Sequence, residues 1–408
     1  MKTSKLCVEI TDRINSKHIR VFKGHTKPLF LISEQYPGVW LEHVYDSVFY
    51  ATLHPEALYL AENTINVFID HQSESGQLPC YIIDRAGNWD SNVFIGFTQI
   101  QECVSFAKLC LMTYYLNKND AFLKKVYFAC KKWVDWLTNN RMTSGRGLIE
   151  MFVGYDTGHD NSGRLQGLLF QGEHILPDGT KANASVLPPQ ETVAPIIAVD
   201  MNCNFYATLV ALAKMADLLG LRDESNCFLQ KAKSVKKNLF ALCYDPEDVF
   251  FYDVDKFGNK RKYLSSTIFY LFLEGVLDKT EDAELIDQLY KLHISNPNEF
   301  ATPYPYPSMA VSDPSCEDRI AKNCWGYYSQ GLIALRATMW LDEYGFSKEM
   351  DTLCEKWVEA WTEHYDTLKF GQELDPLSGI PTKSSEWYSS TMLFYLYACN
   401  RLGETLQK

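Results

Sequence analysis

MNCNFYATLVALAKMADLLGLRDESNCFLQKAKSVKKNLFALC, Met201 to Cys243, is the stretch that decides the architecture. Apolar residues recur at three- and four-residue spacing through 201–219, Gly220 follows, and the same spacing resumes at Arg222 and runs to Cys243. This reads as a helix, a helix-ending glycine and a second helix, a helical hairpin. The texture recurs over residues 55–71, 97–116 and 121–138, and again over 326–344, 348–365 and 387–402, with Gly345 placed like Gly220. Between the pairs lie stretches rich in Gly, Pro, Asp and aromatics at 35–45, 145–164, 301–323 and 371–386. Loops of that length are more often functional than idle. Short β-prone runs at 167–176 and 249–254 predict hairpins. Helical hairpins separated by such loops predict a closed ring with its loops gathered at one mouth. No Pro/Ser-rich linker divides the chain, so one domain over 1–408 is expected.

Composition removes several function classes. A 46% hydrophobic content over 408 residues supports a large core. The net charge of −12, with acids and bases interspersed, argues against nucleic-acid phosphates or an anionic membrane as partner. No run approaches the roughly 18 apolar residues of a membrane span, and MKTSKLCVEITDR has no signal-peptide core, so a cytoplasmic location is expected. Twelve cysteines without a CxxC pair fit that compartment better than a disulfide framework or zinc site. His43, His54, His71 and His159 lack metal-ligand spacing, and neither a metal nor an organic cofactor is expected. Aromatics reach 14%, so most must fill the core, and only those beside polar loops hint at sugar stacking.

Two loop segments carry acids. YDTGHDNSGR, residues 155–164, sets Asp160 among small, hydrogen-bonding residues, and FGQELDPLSG, residues 370–379, offers Glu373 ahead of Asp375-Pro376 and a glycine turn. Two carboxyls flanking a sugar ring are the minimum apparatus for glycosidic cleavage: one protonates the leaving oxygen, the other activates water or attacks carbon. Each residue type also has a structural reading. Asp160 can hold a turn, Glu373 can be a solvated acid, and Asp46 a buried hydrogen-bonded one. Arg164 can be a scaffold ion-pair partner, Asp200 a helix cap and Trp387 core.

In chain order, further segments accompany these two: WLEHVYDSVFYATLHPE at 40–56, GFTQIQ at 96–101, AVDMNCNFYATL at 198–209 and PYPYPSMAVSDP at 303–314. With them the chain resembles the mannosylglycerate hydrolase and α-glucosidase members of glycoside hydrolase family 63, related to the trehalases of family 37, over about residues 37–398. The segments are similar, in order, to the family's W-x-W-D-S-x-F, T-Q-P-P and D-x-N motifs and its proline-rich loop. YDTGHDNSGR is similar to W-E-S-G-x-D-N-S-P-R, and GQELDPLSG to E-x-x-D-P-x-T-G. The resemblance implies an all-α (α/α)6 barrel, a six-hairpin toroid. It also implies an inverting α-glycosidase acting on a small carbohydrate, with Asp160 as general acid and Glu373 as general base. By the same resemblance, Trp40, Tyr45, Asp46, Phe49, Gln99, His159, Asn161, Arg164, Asp200, Trp325, Gly326, Tyr327 and Trp387 line the substrate site.

The departures bear on substrate. Where relatives carry W-R-G-P this chain has CWGYYS, so Trp325 stands in place of an arginine, a natural partner for a carboxylate. A neutral sugar or apolar aglycone is expected over a glycerate-type anion, unless Arg164 or Lys383 supplies the cation. Two other classes stay open. A sugar epimerase of the N-acylglucosamine 2-epimerase type would use histidines on a similar toroid, and a silent carbohydrate-binding toroid would need neither acid.

Overall fold

A computed structural model describes residues 2–84, 95–169, 183–189, 191–319 and 325–403. Twelve α-helices dominate these residues: α1 (Lys2–Arg13), α2 (Val44–Leu53), α3 (Leu58–Asp70), α4 (Phe106–Asn117), α5 (Asp120–Asn140), α6 (Val199–Leu218), α7 (Arg222–Cys243), α8 (Phe269–Leu273), α9 (Ala283–Leu289), α10 (Gly331–Ala337), α11 (Ser347–His364) and α12 (Ser389–Arg401). None is long and apolar enough to cross a membrane. Short antiparallel strands, in sheets of two to four, occupy the loops.

Two kinds of helix follow from two kinds of sequence. In α6, 15 of 20 residues are buried, because apolar and small residues continue around the whole cylinder. Its partner α7 buries only Ser225, Phe228, Ala232, Val235, Leu239 and Cys243, a stripe at three- and four-residue spacing against a charged outer face. Each large apolar side chain so buried contributes about 1.5–3 kcal/mol. Gly220 turns the chain between them at φ +77°, a conformation that disfavours any residue with a Cβ. The neighbour relations repeat this pairing: α2 packs on α3, α4 on α5, α6 on α7 and α12 on α11. The heavily buried helices also touch in sequence, α2 to α4, α4 to α6, α6 to α8, α10 to α12 and α12 back to α2. From α8 to the α10 segment, Phe269 stacks on Trp340 at 5.5 Å and Arg336 donates to the Tyr270 hydroxyl. One continuous apolar cluster runs from Leu6 to Cys399, with Met309, Cys316 and Tyr327 as a small satellite.

Several boundaries move from their sequence expectation. The helix expected over 97–116 starts only at Phe106. Residues 97–105 form a loop closed by Ser105, whose hydroxyl accepts from the Lys108 amide at 3.3 Å as an N-cap. The helix expected from 326 starts at Gly331, because Ser329–Gln330 is extended and pairs with Glu373–Leu374. Residues 55–71 divide into a 3-10 turn, Pro55–Ala57, and α3. The run at 249–254 supplies Phe250–Phe251, paired with Tyr244–Asp245, and Asp253–Val254, paired with Lys260–Arg261. Of the run at 167–176, residues 167–169 form no strand and residues 170–176 lie outside the described set.

A buried ion pair joins two of the loops. Arg141, after α5, donates to Asp156 through Nη1 at 2.7 Å and Nη2 at 3.2 Å, and also to the carbonyls of Glu150 and Ala184. Asp156 further accepts from the amides of Ile100, Phe152 and Val153. Breaking such a pair strands a charge in a dry interior, whereas removing both partners need not. Arg141→Met is expected to lower the unfolding free energy by about 3–5 kcal/mol in urea titrations. Arg141→Met with Asp156→Asn should cost less than Arg141→Met alone. A single-variant loss below about 1 kcal/mol would show that the pair does not hold the loops.

Candidate active site

The acid-bearing loop leaves the short strand Glu150–Met151, paired with Ile196–Ile197, and makes a 3-10 turn over Gly154–Thr157. Gly158 follows at φ +71°, where an added Cβ would lie 2.6 Å from Glu42 Oε2 and 3.0 Å from Cys103 Sγ. Only glycine lets the loop rest on those side chains. Asn161 is left-handed too, at φ +64°. Between these two residues stand His159 and Asp160.

The Asp160 carboxyl takes no hydrogen bond from the described residues, while its backbone carbonyl accepts from the Trp325 amide at 3.0 Å. Burial alone raises its pKa to about 7. His159 has a different environment. Arg164 donates from Nη2 to His159 Nδ1 at 3.0 Å, and His159 Nε2 lies 3.1 Å from the Tyr270 hydroxyl. A guanidinium can only donate, so Nδ1 accepts and Nε2 carries the proton toward Tyr270. The imidazole is therefore neutral, in keeping with a pKa held well below the usual histidine value by burial and then by Arg164 and Arg336. Trp325 covers its face, with ring centroids 4.0 Å apart and 17° between planes.

Arg164 is committed. Its Nη2 also donates to Asp200 at 2.5 Å and its Nη1 to Asp253 at 2.7 Å, with all three side chains buried. Arg336 is the other buried guanidinium near the acid loop. It bonds Tyr270, while its Nε and Nη2 find no partner among the described residues. Facing it are Glu42 and Asp46. Asp46 Oδ2 accepts from the hydroxyls of Ser389 and Ser390, which tie α2 to α12, and Oδ1 is unpaired. Burial first, opposed by those hydroxyls and Arg336, leaves Asp46 raised to about 6. Glu42 is raised further, to about 8, by burial, with Arg336 opposing and the nearby Asp160 adding repulsion. Unmet donors and acceptors concentrated in this way mark a place that water or a polar ligand completes. Among the described residues no group of three or more His, Cys, Asp or Glu could hold a metal ion.

Glu373 is tied to the acid loop through the segment that follows Trp325. The segment that begins at Trp325, bonded to Asp160, continues to Gln330, whose Nε2 donates to Glu373 Oε2 at 2.5 Å. Thr382 Oγ1 donates to Glu373 Oε1 at 3.0 Å. Glu373 is fully buried. Left-handed non-glycine residues collect in the flanking loops, at Gln101, Asn161, Phe370, Ser385 and Trp387. Such strain concentrates at functional sites.

The aromatics expected at the mouth divide. Trp40 is half-buried, edge-on to Tyr36 at 5.5 Å and tilted to Tyr81 at 6.0 Å, and keeps surface available. Trp325 and Tyr327 are only 2% and 7% exposed, and Tyr327 packs with Met309 and Cys316 in the satellite cluster. Trp387, also 7% exposed, packs on Phe370 and carries the Arg13 guanidinium 4.5 Å from its ring centroid. Tyr45 donates to the Leu335 carbonyl and stacks on Phe49. Gln99 is buried in the loop before α4, its amide oxygen accepting from Thr98, and Gly326 is buried beside Trp325. Lys383 is exposed. Sequence reading missed Glu42, Tyr270, Arg336 and the Arg141–Asp156 pair. Two had a signal: Glu42 lies four residues before Asp46, and Arg336 is a lone charge in the apolar run GLIALRA. Tyr270 had none.

Residues 45–386 match the family profile described as the mannosylglycerate hydrolase MGH1-like glycoside hydrolase domain. Among solved structures, the GH63 mannosylglycerate hydrolase of Thermus thermophilus in complex with Tris and D-glycerate is 16% identical at a TM-score of 0.71, covering 97% of this chain and 99% of its own. The same enzyme in complex with glucose gives 17% and 0.71, covering 96% and 99%. The neutral trehalase of Saccharomyces cerevisiae is 14% identical at 0.68, covering 92% of this chain and 75% of that one. Likeness at these identities is one of fold. An uncharacterized protein of Borreliella burgdorferi is 24% identical over 130 residues, 32% of this chain and 26% of that relative's length. With the profile spanning most of the sequence, the chain belongs to the family of MGH1-like glycoside hydrolase domains.

Proposed function

We propose that the protein hydrolyses a small α-linked glucoside or mannoside with inversion, Asp160 acting as general acid and Glu373 as general base. The observation that carries this reading is the contrast between the two carboxyls. Asp160 has no protein donor among the described residues and is raised to about 7 by burial, which suits a group that must hold a proton at neutral pH and give it to the leaving oxygen. Glu373 accepts from Gln330 and Thr382, a placement that fixes a carboxylate for taking a proton from water. Inversion requires roughly 6.5–9.5 Å between such groups, so that water enters opposite the leaving oxygen.

The scaffold we infer is a single (α/α)6 toroid over residues 1–408, supported by the chain of contacts from α2 through α12 and back. A cytoplasmic setting is inferred from free cysteines that, among the described residues, are buried except at Cys227. Of the substrate-lining set that the resemblance implies, Trp40 keeps the most surface for stacking, whereas Arg164 and Asp200 are bonded to each other and Trp325, Tyr327 and Trp387 are nearly closed over. Trp325 in place of an arginine, with Arg164 committed to Asp200 and Asp253, favours a neutral aglycone. An epimerase is not favoured, because His159 is bonded through both nitrogens and covered by Trp325.

Asp160→Asn and Glu373→Gln are each expected to lower turnover of a natural glycoside by about two to four orders of magnitude with the fold intact. An aryl glycoside with a good leaving group should partly rescue Asp160→Asn and not Glu373→Gln. Wild-type turnover in either variant removes that residue from the mechanism.

The acid form of Asp160 is the active one, so kcat/KM should fall as pH rises through about 7, and substituting Asn should abolish that limb. A carboxyl whose folded pKa is raised contributes stability below its unfolded pKa that is lost as pH rises through the folded value. Asp160→Asn should therefore unfold at higher urea than wild type at pH 8, and the difference should shrink below pH 4. A pH-independent rate, or equal stability at pH 8, contradicts the assignment.

A further inference from the structure

We propose that Glu42 is a substrate-contacting carboxyl beside the general acid, and that it selects a neutral, hydroxyl-bearing group next to the scissile oxygen over an anionic one. The proposal rests on the hydrolase reading above and names a residue that reading does not use. Glu42 lies in the 3-10 turn Leu41–His43 that leads into α2, and the acid loop rests directly on it at Gly158, two residues before Asp160. Cys103 donates its thiol to Oε2 at 3.4 Å. The other oxygen accepts no hydrogen bond from the described residues. His43 Nδ1 lies 3.4 Å away and is itself unpaired, while the opposite ring nitrogen of His43 is taken by the Tyr388 hydroxyl. Glu42 and Asp160 thus bring two carboxyls with unused capacity to one place.

The groups around Glu42 decide what it can hold. Asp160 faces it from the acid loop, Asp46 and His43 from its own segment, Cys103 from the loop before α4, Tyr270 from α8 and Arg336 from α10. Arg336 therefore faces two carboxyls, Glu42 and Asp46, and Glu42 also faces Asp160, while Arg164 is committed elsewhere. A carboxylate ligand would have to share Arg336 with Asp46, and a cationic ligand would meet Arg336. A hydroxyl both gives and accepts hydrogen bonds. It can sit between a guanidinium and a carboxyl and satisfy both in either protonation state of the carboxyl. Burial keeps Glu42 protonated up to about pH 8, so it too gives and accepts over the range in which Asp160 retains its proton.

The test uses α-glucosylglycerol and α-glucosylglycerate, with their α-mannosyl counterparts, pairs that differ only by –CH2OH against –COO⁻. The wild type is expected to favour the glycerol compound in kcat/KM by at least about tenfold, the size of one hydrogen bond to a charged group. Above about pH 8, where the wild-type Glu42 is ionised, Glu42→Gln should bring the two within about threefold, with the change falling on KM. The wild-type KM for the glycerate compound should rise as pH passes about 8, and that rise should be absent in Glu42→Gln. Glu42→Asp, which keeps the carboxyl and withdraws it by one methylene, should still disfavour the glycerate above about pH 8 while binding the glycerol less well. A wild type that prefers the glycerate, or a Glu42→Gln variant with an unchanged ratio, overturns the proposal while leaving hydrolysis standing. Absence of turnover of all four compounds and of any other α-glycoside removes the hydrolase reading and this one together.

Discussion

The placement of the acid-bearing loop depends on a buried guanidinium, Arg141, held against Asp156. Loops have no ladder of their own to keep them in place, and the two that matter most come from opposite sides of α4 and α5. Asp156 gathers amides from both, Ile100 on one side and Phe152 and Val153 on the other, while its own carbonyl accepts from the Glu102 amide. A buried carboxylate is tolerable only with such a set of donors. Once it is in place, Gly158 is carried onto Glu42, and Asp160 follows two residues later.

A second arrangement of charge separates side chains whose hydrogen bonding is complete from those whose hydrogen bonding is not. Arg164 is neutralised by Asp200 and Asp253 and fixes the tautomer of His159, which directs its proton to Tyr270. These partners lock one another. Asp160 and Glu42 are not locked: burial raises both, and neither has its full set of partners. Unfinished hydrogen bonding at the centre of a finished network leaves the substrate to complete it.

The helical hairpins were legible because a stripe recurring every three or four residues is a local property. Residues 201–219 and 222–243 correspond closely to α6 and α7. Where apolar residues belong to loops, the same reasoning overran. Residues 97–105 and 326–330 carry aromatic and aliphatic side chains that pack from extended or turn conformations, so periodicity alone extended the helices backward through them. The aromatics were harder still. Trp325, Tyr327 and Trp387 stand beside polar motifs in the sequence, yet each is nearly closed over by a neighbour from another element: His159, Met309 and Cys316, and Phe370 with Arg13.

The sequence by itself determined the helical architecture and the family, because each is written in residue type, spacing and order along the chain. Which polar residues are dry, which are paired and which are left with a bond to make depended on the tertiary structure. Desolvation of Glu42 requires α2, the acid loop, Cys103 and Arg336 to close around it, and Arg164 is spent only because Asp200 and Asp253 arrive from distant segments. Charge in a protein takes its energy from whatever surrounds it in space, and no local pattern in the chain records those surroundings.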